Sequence, residues 1–202
     1  MTIRAFALLL LCAFVFTACG EEGGDEEAAV KKMIVTSANS DNPEDCTRLL
    51  TPNYLEQSTK LEGEAAVTAC EEQAVDPNLE IPRKVIVSGV EIDSSSATAT
   101  VAFTGSGYDG QTVRLALVER GGRWKWHEIL GFINLDAEKL VTEMGREMLL
   151  RNETSFEAES TSCFVGILDE MSDQALEALV LDASLDRFLA LANRCYIRSG
   201  AL

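Results

Sequence analysis

The residues of this chain that could do chemistry are six cysteines, one histidine and scattered carboxylates. Cys12 and Cys19 lie within and just after an apolar N-terminal run, while Cys46, Cys70, Cys163 and Cys195 lie well beyond it. An even set of cysteines in an exported chain is expected to form disulfides, and four of them allow three connectivities. The chain falls into two blocks with two of these cysteines each, so the expected pairs are Cys46–Cys70 and Cys163–Cys195. The competing chemistry is a metal centre. Zinc needs several thiolates or imidazoles converging. There is no C-x-x-C pair, and His127, the only histidine, is far in sequence from all four cysteines. No metal and no cofactor are expected.

The remaining motifs carry less. Gly105-Ser106-Gly107-Tyr108-Asp109-Gly110 matches G-x-G-x-x-G, but a dinucleotide site needs a strand before the glycines and a helix after them. A strand pattern follows here, so no helix N-terminus faces a pyrophosphate, and a hairpin loop is expected. His127 alternates with Trp124 and Trp126 along a strand, which places it on the opposite face, exposed. Glu128 is its neighbour, and adjacent strand residues point to opposite faces, so no oriented base results. Tyr54, Glu56 and Asp109 are the residue types an isomerase-like site would need, without a pattern that unites them. No catalytic residue is assigned. Tyr54, Trp124 and Trp126 are the candidate ligand-binding residues. Asn152-Glu153-Thr154 fits a glycosylation sequon, and Glu71-Glu72 reads as a solvated helix face.

The N-terminus says where the chain goes. Arg4 is the only charge before Cys19, and the apolar run from Ala5 to Ala18 is shorter than the roughly twenty residues of a spanning helix. A basic start, a short apolar run and small residues before a cut site form a secretory signal. Phe16-Thr17-Ala18-Cys19-Gly20 resembles the lipobox of bacterial lipoproteins, with Phe16 in the place of the usual leucine. That resemblance implies cleavage after Ala18 and acylation of Cys19 by chains such as palmitate. Each buried methylene contributes about 0.8 kcal/mol, and several chains together hold stably. The expected location is the extracytoplasmic face of the cell membrane, with membrane lipid as the first partner.

Net charge is −16. Phosphate binding needs clustered Lys and Arg, so nucleic acid is excluded as a partner class. An anionic membrane surface would repel the body rather than attract it. Residues 19–27, rich in glutamate and glycine, read as a lipidated acidic tether.

Periodicity then sets the elements. Ala29, Val30, Met33, Ile34, Ser37 and Ala38 recur at helical spacing, with Glu26 and Glu27 in the first turn. A second helix is expected from Pro43 to Leu50, ending near Thr51-Pro52, and a third from Lys60 to Ala74 with Ala65, Ala66, Ala69 and Cys70 as its stripe. The period then drops to two. Ile86, Val90 and Ile92 are expected to share a face, as are Ala97, Ala99, Val101 and Phe103, then Val113, Leu115 and Leu117, then Trp124, Trp126 and Leu130. Four strands joined by turns make an antiparallel meander, and helices must cover its apolar face. Helical spacing returns at about Asp136, with Leu140, Val141, Met144 and Met148. After Cys163 come Phe164, Ile167, Leu168 and Met171, a break at Ser172-Asp173, and a last stripe of Leu185, Phe188, Leu189, Ala192, Cys195 and Tyr196.

Helices followed by a curved antiparallel sheet resemble the nuclear transport factor 2-like cone over about residues 26–134. The phrases that carry this are Cys46-Thr47-Arg48-Leu49-Leu50-Thr51-Pro52, Ala97 to Phe103, and Gly122-Arg123-Trp124-Lys125-Trp126. Exported actinobacterial lipoproteins are similar. The expected class is α+β, helices packed on a cone-like sheet, followed by a small all-helical C-terminal unit. The expected division is a signal peptide at 1–18, the tether at 19–27, the cone domain at 28–135 and the disulfide-linked helical domain at 136–202. Such cones host enzymes and binding modules alike, so fold does not give function. The expected function is a non-enzymatic binding or scaffolding module of the cell envelope with an envelope protein partner. The alternative is an enzyme or carrier for a small apolar ligand held in the cone.

Overall fold

Four helices come first in the computed structural model, which describes residues 22–77, 81–105, 108–142, 158–182 and 185–198. They are α1 (Glu22–Ala38), α2 (Asp45–Arg48), α3 (Pro52–Thr59) and α4 (Gly63–Ala74). Cys19, the apolar run before it, Met144, Met148 and the Asn152 sequon lie outside the described residues. α1 starts at Glu22, so most of the segment read as a tether is helix. Glu26 and Glu27 therefore fall in its second turn rather than its first, and Glu27 pairs with Lys31 one turn on at 2.6 Å. Val30 and Ile34 are its buried residues.

Thr51-Pro52 opens a helix rather than closing one. Thr51 Oγ1 accepts the Tyr54 N–H at 3.3 Å, and Pro52 takes the first helical turn, where its missing N–H costs nothing. α3 ends with Lys60 in the left-handed region at φ 62°, and α4 starts at Gly63 instead of Lys60. Along α4, Ala66 is buried, Ala69 and Cys70 are half-buried and Ala65 is exposed.

The sheet is an antiparallel meander in the order β1-β2-β3-β4, formed by Lys84–Asp93, Ser96–Thr104, Thr112–Glu119 and Trp124–Asn134. The alternation expected for β2 and β3 holds residue by residue. It fails on both edge strands, for one reason. β1 carries a bulge between Ser88 and Glu91, with Gly89 at φ +55°. An extra residue flips the parity of everything before it. Val85, Val87, Val90 and Ile92 therefore pack against the core, and Ile86 stands 47% exposed on the other face. β4 shifts register against β3 three times. Ile129 is buried in place of Leu130, which is 43% exposed. These extra residues bend the strand and curve the sheet.

Two apolar cores result. One joins Val30 and Ile34 of α1 and Tyr54 of α3 to the inner faces of the four strands. The other joins Leu140 and Val141, from a helical turn at 137–142 (α5), to Phe164 and Leu168 of α6 (Ala158–Asp169), Leu176 and Leu179 of α7 (Asp173–Leu181), and Cys195 of α8 (Leu185–Arg198). Ser172 caps α7, its hydroxyl accepting the Ala175 N–H at 3.3 Å. The class is α+β, in the element order that the resemblance implies.

Candidate functional site

Cys46–Cys70 and Cys163–Cys195 are both bonded, with Cα separations of 6.0 and 5.6 Å. The first ties α2 to α4, the second α6 to α8. Loops of this length stabilise by about 3–4 kcal/mol each in the chain-entropy model. The first disulfide borders a shallow cleft of about 120 Å³, lined among others by Ser37, Asp45 and Gln73. Asp45 is buried there and spoken for. Its carboxylate accepts the Ser40 hydroxyl at 2.5 Å and pairs with Arg48.

The candidate ligand residues Tyr54, Trp124 and Trp126 are brought together in the first core, each more than nine-tenths buried. α3 delivers Tyr54 because Thr51 fixes its first turn; β4 delivers the tryptophans on alternate residues. Tyr54 meets the Trp126 ring edge-on, with centroids 5.1 Å apart, an arrangement favoured by the ring quadrupoles. Burial pushes the Tyr54 phenol well above its ordinary pKa, and nearby Tyr108 adds to this. Trp126 Nε1 is buried with no hydrogen-bond partner. A buried indole N–H without a partner costs on the order of 1–3 kcal/mol. These rings share one apolar cluster with residues such as Val30, Ile34 and Leu117.

Glu56 stays outside this interior, where it accepts the Gly63 N–H at 3.2 Å. Asp109 also works elsewhere. It accepts the Gly105 N–H at 2.6 Å and pairs with Lys139 at 3.0 Å, closing the β2–β3 hairpin loop. These contacts hold its carboxyl below the ordinary range, the Gly105 N–H contributing most. The described residues of the glycine motif, Gly105 and Tyr108 to Gly110, lie between β2 and β3 as a hairpin loop requires; Ser106 and Gly107 lie outside the described residues.

His127 departs from expectation. It is half-buried, and its Nδ1 lies 3.1 Å from Thr51 Oγ1. The register shift beside it makes it the extra residue of β4, which turns it towards the start of α3. Among the described residues, no group of three or more His, Cys, Asp or Glu could hold a metal ion.

Several residues with structural roles carried no sequence signal. The Gln57 amide holds both backbone groups of Ile129, at 2.7 and 3.0 Å, and donates to Leu181 O at 3.2 Å. Gln111 does the same for Asp136, at 2.8 and 2.9 Å. Glu177 accepts the Phe132 N–H at 2.8 Å. Lys60 donates to the carbonyls of Val180, at 2.5 Å, and Asp182, at the C-terminus of α7. A glutamine or lysine in a polar stretch looks the same whether it faces water or a strand edge.

No family model matches the chain, and no curated protein matches it. Among solved structures, it is similar to an NTF-2 like protein of unknown function from Silicibacter pomeroyi DSS-3, at 16% identity and a TM-score of 0.34, over 52% of this chain and 92% of that one.

Proposed function

We propose that this chain is a lipid-anchored protein of the extracytoplasmic face of the cell membrane. Its nuclear transport factor 2-like body and helical C-terminal unit serve as a non-enzymatic binding or scaffolding module of the cell envelope. The observation that carries this reading is the use of all four cysteines beyond Cys19 in disulfides, the pattern of an oxidising compartment. The apolar run that ends at Cys19 supports the anchor. Binding is favoured over catalysis because the Tyr54 ring is taken up in packing edge-on against Trp126. The carboxylates considered as its partners, Glu56 and Asp109, hold backbone N–H groups elsewhere.

A second reading, a carrier for a small apolar ligand, is favoured by one feature. Trp126 Nε1 offers an unused donor inside the apolar core, which suits a molecule with an apolar body and a single acceptor. One preparation tests both. Protein taken from membranes is weighed intact under denaturing and native conditions. An acylated Cys19 gives the first spectrum a mass above the unmodified chain beginning there, and Cys19→Ala abolishes that increment and membrane retention. An unmodified, soluble wild-type chain refutes the anchor. A retained small molecule seen only in the native spectrum selects the carrier reading, and an empty chain rejects it.

A further inference from the structure

The two edges of the sheet are finished differently. Along β4, Trp126 exchanges backbone bonds with Leu49 and Thr51, Asn53 donates to His127 O, Gln57 holds Ile129, and Glu177 holds Phe132. Nothing comparable meets β1 among the described residues. It pairs with β2 alone, and all of its residues are exposed or half-buried. An open edge presents free N–H and C=O groups to any strand that can lie beside it.

Two features of β1 select what lies there. Its regular stretch, Lys84 to Ser88, ends at the bulge and is centred on exposed Ile86. Its charges are ordered, with Arg83 and Lys84 at the start and Glu91 and Asp93 at the end. An antiparallel copy sets the cationic end of each strand towards the anionic end of the other. A parallel copy sets like against like, which destabilises.

We propose that the β1 edge docks a second copy of this chain, antiparallel, about a twofold axis at Ile86. The axis places Ile86 opposite its own counterpart on the face away from the core, an apolar cross-strand pair, and Lys84 opposite Ser88. The interface is isologous and closes as a dimer. Five residues a side bury less than the roughly 1,000 Å² of a stable interface, so association is weak and depends on concentration. It does not require the anchor.

Sedimentation velocity of the full-length chain in density-matched detergent tests this from micromolar to millimolar concentration. The wild type is expected to show a monomer–dimer equilibrium. Ile86→Lys and Ile86→Glu each face their own charge across the axis and weaken the dimer by roughly tenfold or more. An equal mixture of the two variants restores dimers, now mixed ones. Unchanged near-ultraviolet dichroism from Trp124 and Trp126 confirms that both variants are folded. A wild type that stays monomeric throughout, a dimer that survives both substitutions, or a mixture that stays monomeric overturns the proposal.

Discussion

Lys60 has stepped out of its helix at φ 62° and points its ammonium at the carbonyl end of α7. Cations are favoured at helix C-termini, yet this one is partly removed from water. Burial pulls its pKa down from 10.5 to about 8, against an opposing pull from the Asp182 carboxylate. The linkage sign follows from proton counting. Between pH 8 and 10.5 the unfolded chain binds more protons at Lys60 than the folded one. This residue's contribution to stability is therefore complete above pH 10.5 and is lost as pH falls towards 8. Urea midpoints of the wild type should rise across that window relative to Lys60→Gln. Parallel curves for the two proteins would show that Lys60 ionises normally.

At the scale of elements, α7 meets the sheet and α3 partly through side chains that hold backbone groups. Gln57 replaces a neighbouring strand for Ile129, and Glu177 does so for Phe132. Gln57→Leu keeps the shape and removes the partners of a buried N–H and C=O. An unsatisfied buried group costs about 1–3 kcal/mol, so a loss of roughly 2–4 kcal/mol in urea unfolding is expected. A loss under about 0.5 kcal/mol, the size of an ordinary surface change, would mean that water takes over the role. These contacts mark where the sequence stops being informative. Alternation was readable in β2 and β3 because nothing interrupts them. It misled at Ile86 and Leu130 because a bulge changes parity without changing composition. The Thr51-Pro52 start of α3 was present in the sequence as a cap followed by proline, but proline also ends helices, and only the Tyr54 N–H bond decides between the two. His127 was misplaced by the same register shift that hid Ile129. Tyr54, Trp124 and Trp126 were singled out as ligand-binding candidates, and the structure packs them together in the first core; both cysteine pairings were legible from their grouping into blocks.

At the scale of the whole molecule, the described residues form two apolar cores, and the Cys163–Cys195 disulfide belongs to the second, where Cys195 is buried. The C-terminal core rests on a handful of buried residues, chiefly Phe164, Leu168, Leu176 and Leu179, and a unit of this size depends on its staple. Replacing Cys163 and Cys195 together by serine should cost about 3–4 kcal/mol in that unit. Limited proteolysis should then cleave α6–α8 before the cone. Cleavage that begins in the cone instead would show that the staple is dispensable. Finally, consider the first two turns of α1. The helix runs from Glu22, and from Gly24 onward its first buried residue is Val30, so roughly 9 Å of helix there precedes the core. A coil at that place would let the body swivel at any height. A strut instead transmits angle as well as distance, so whatever holds the first turn of α1 also fixes the pitch of the body behind it.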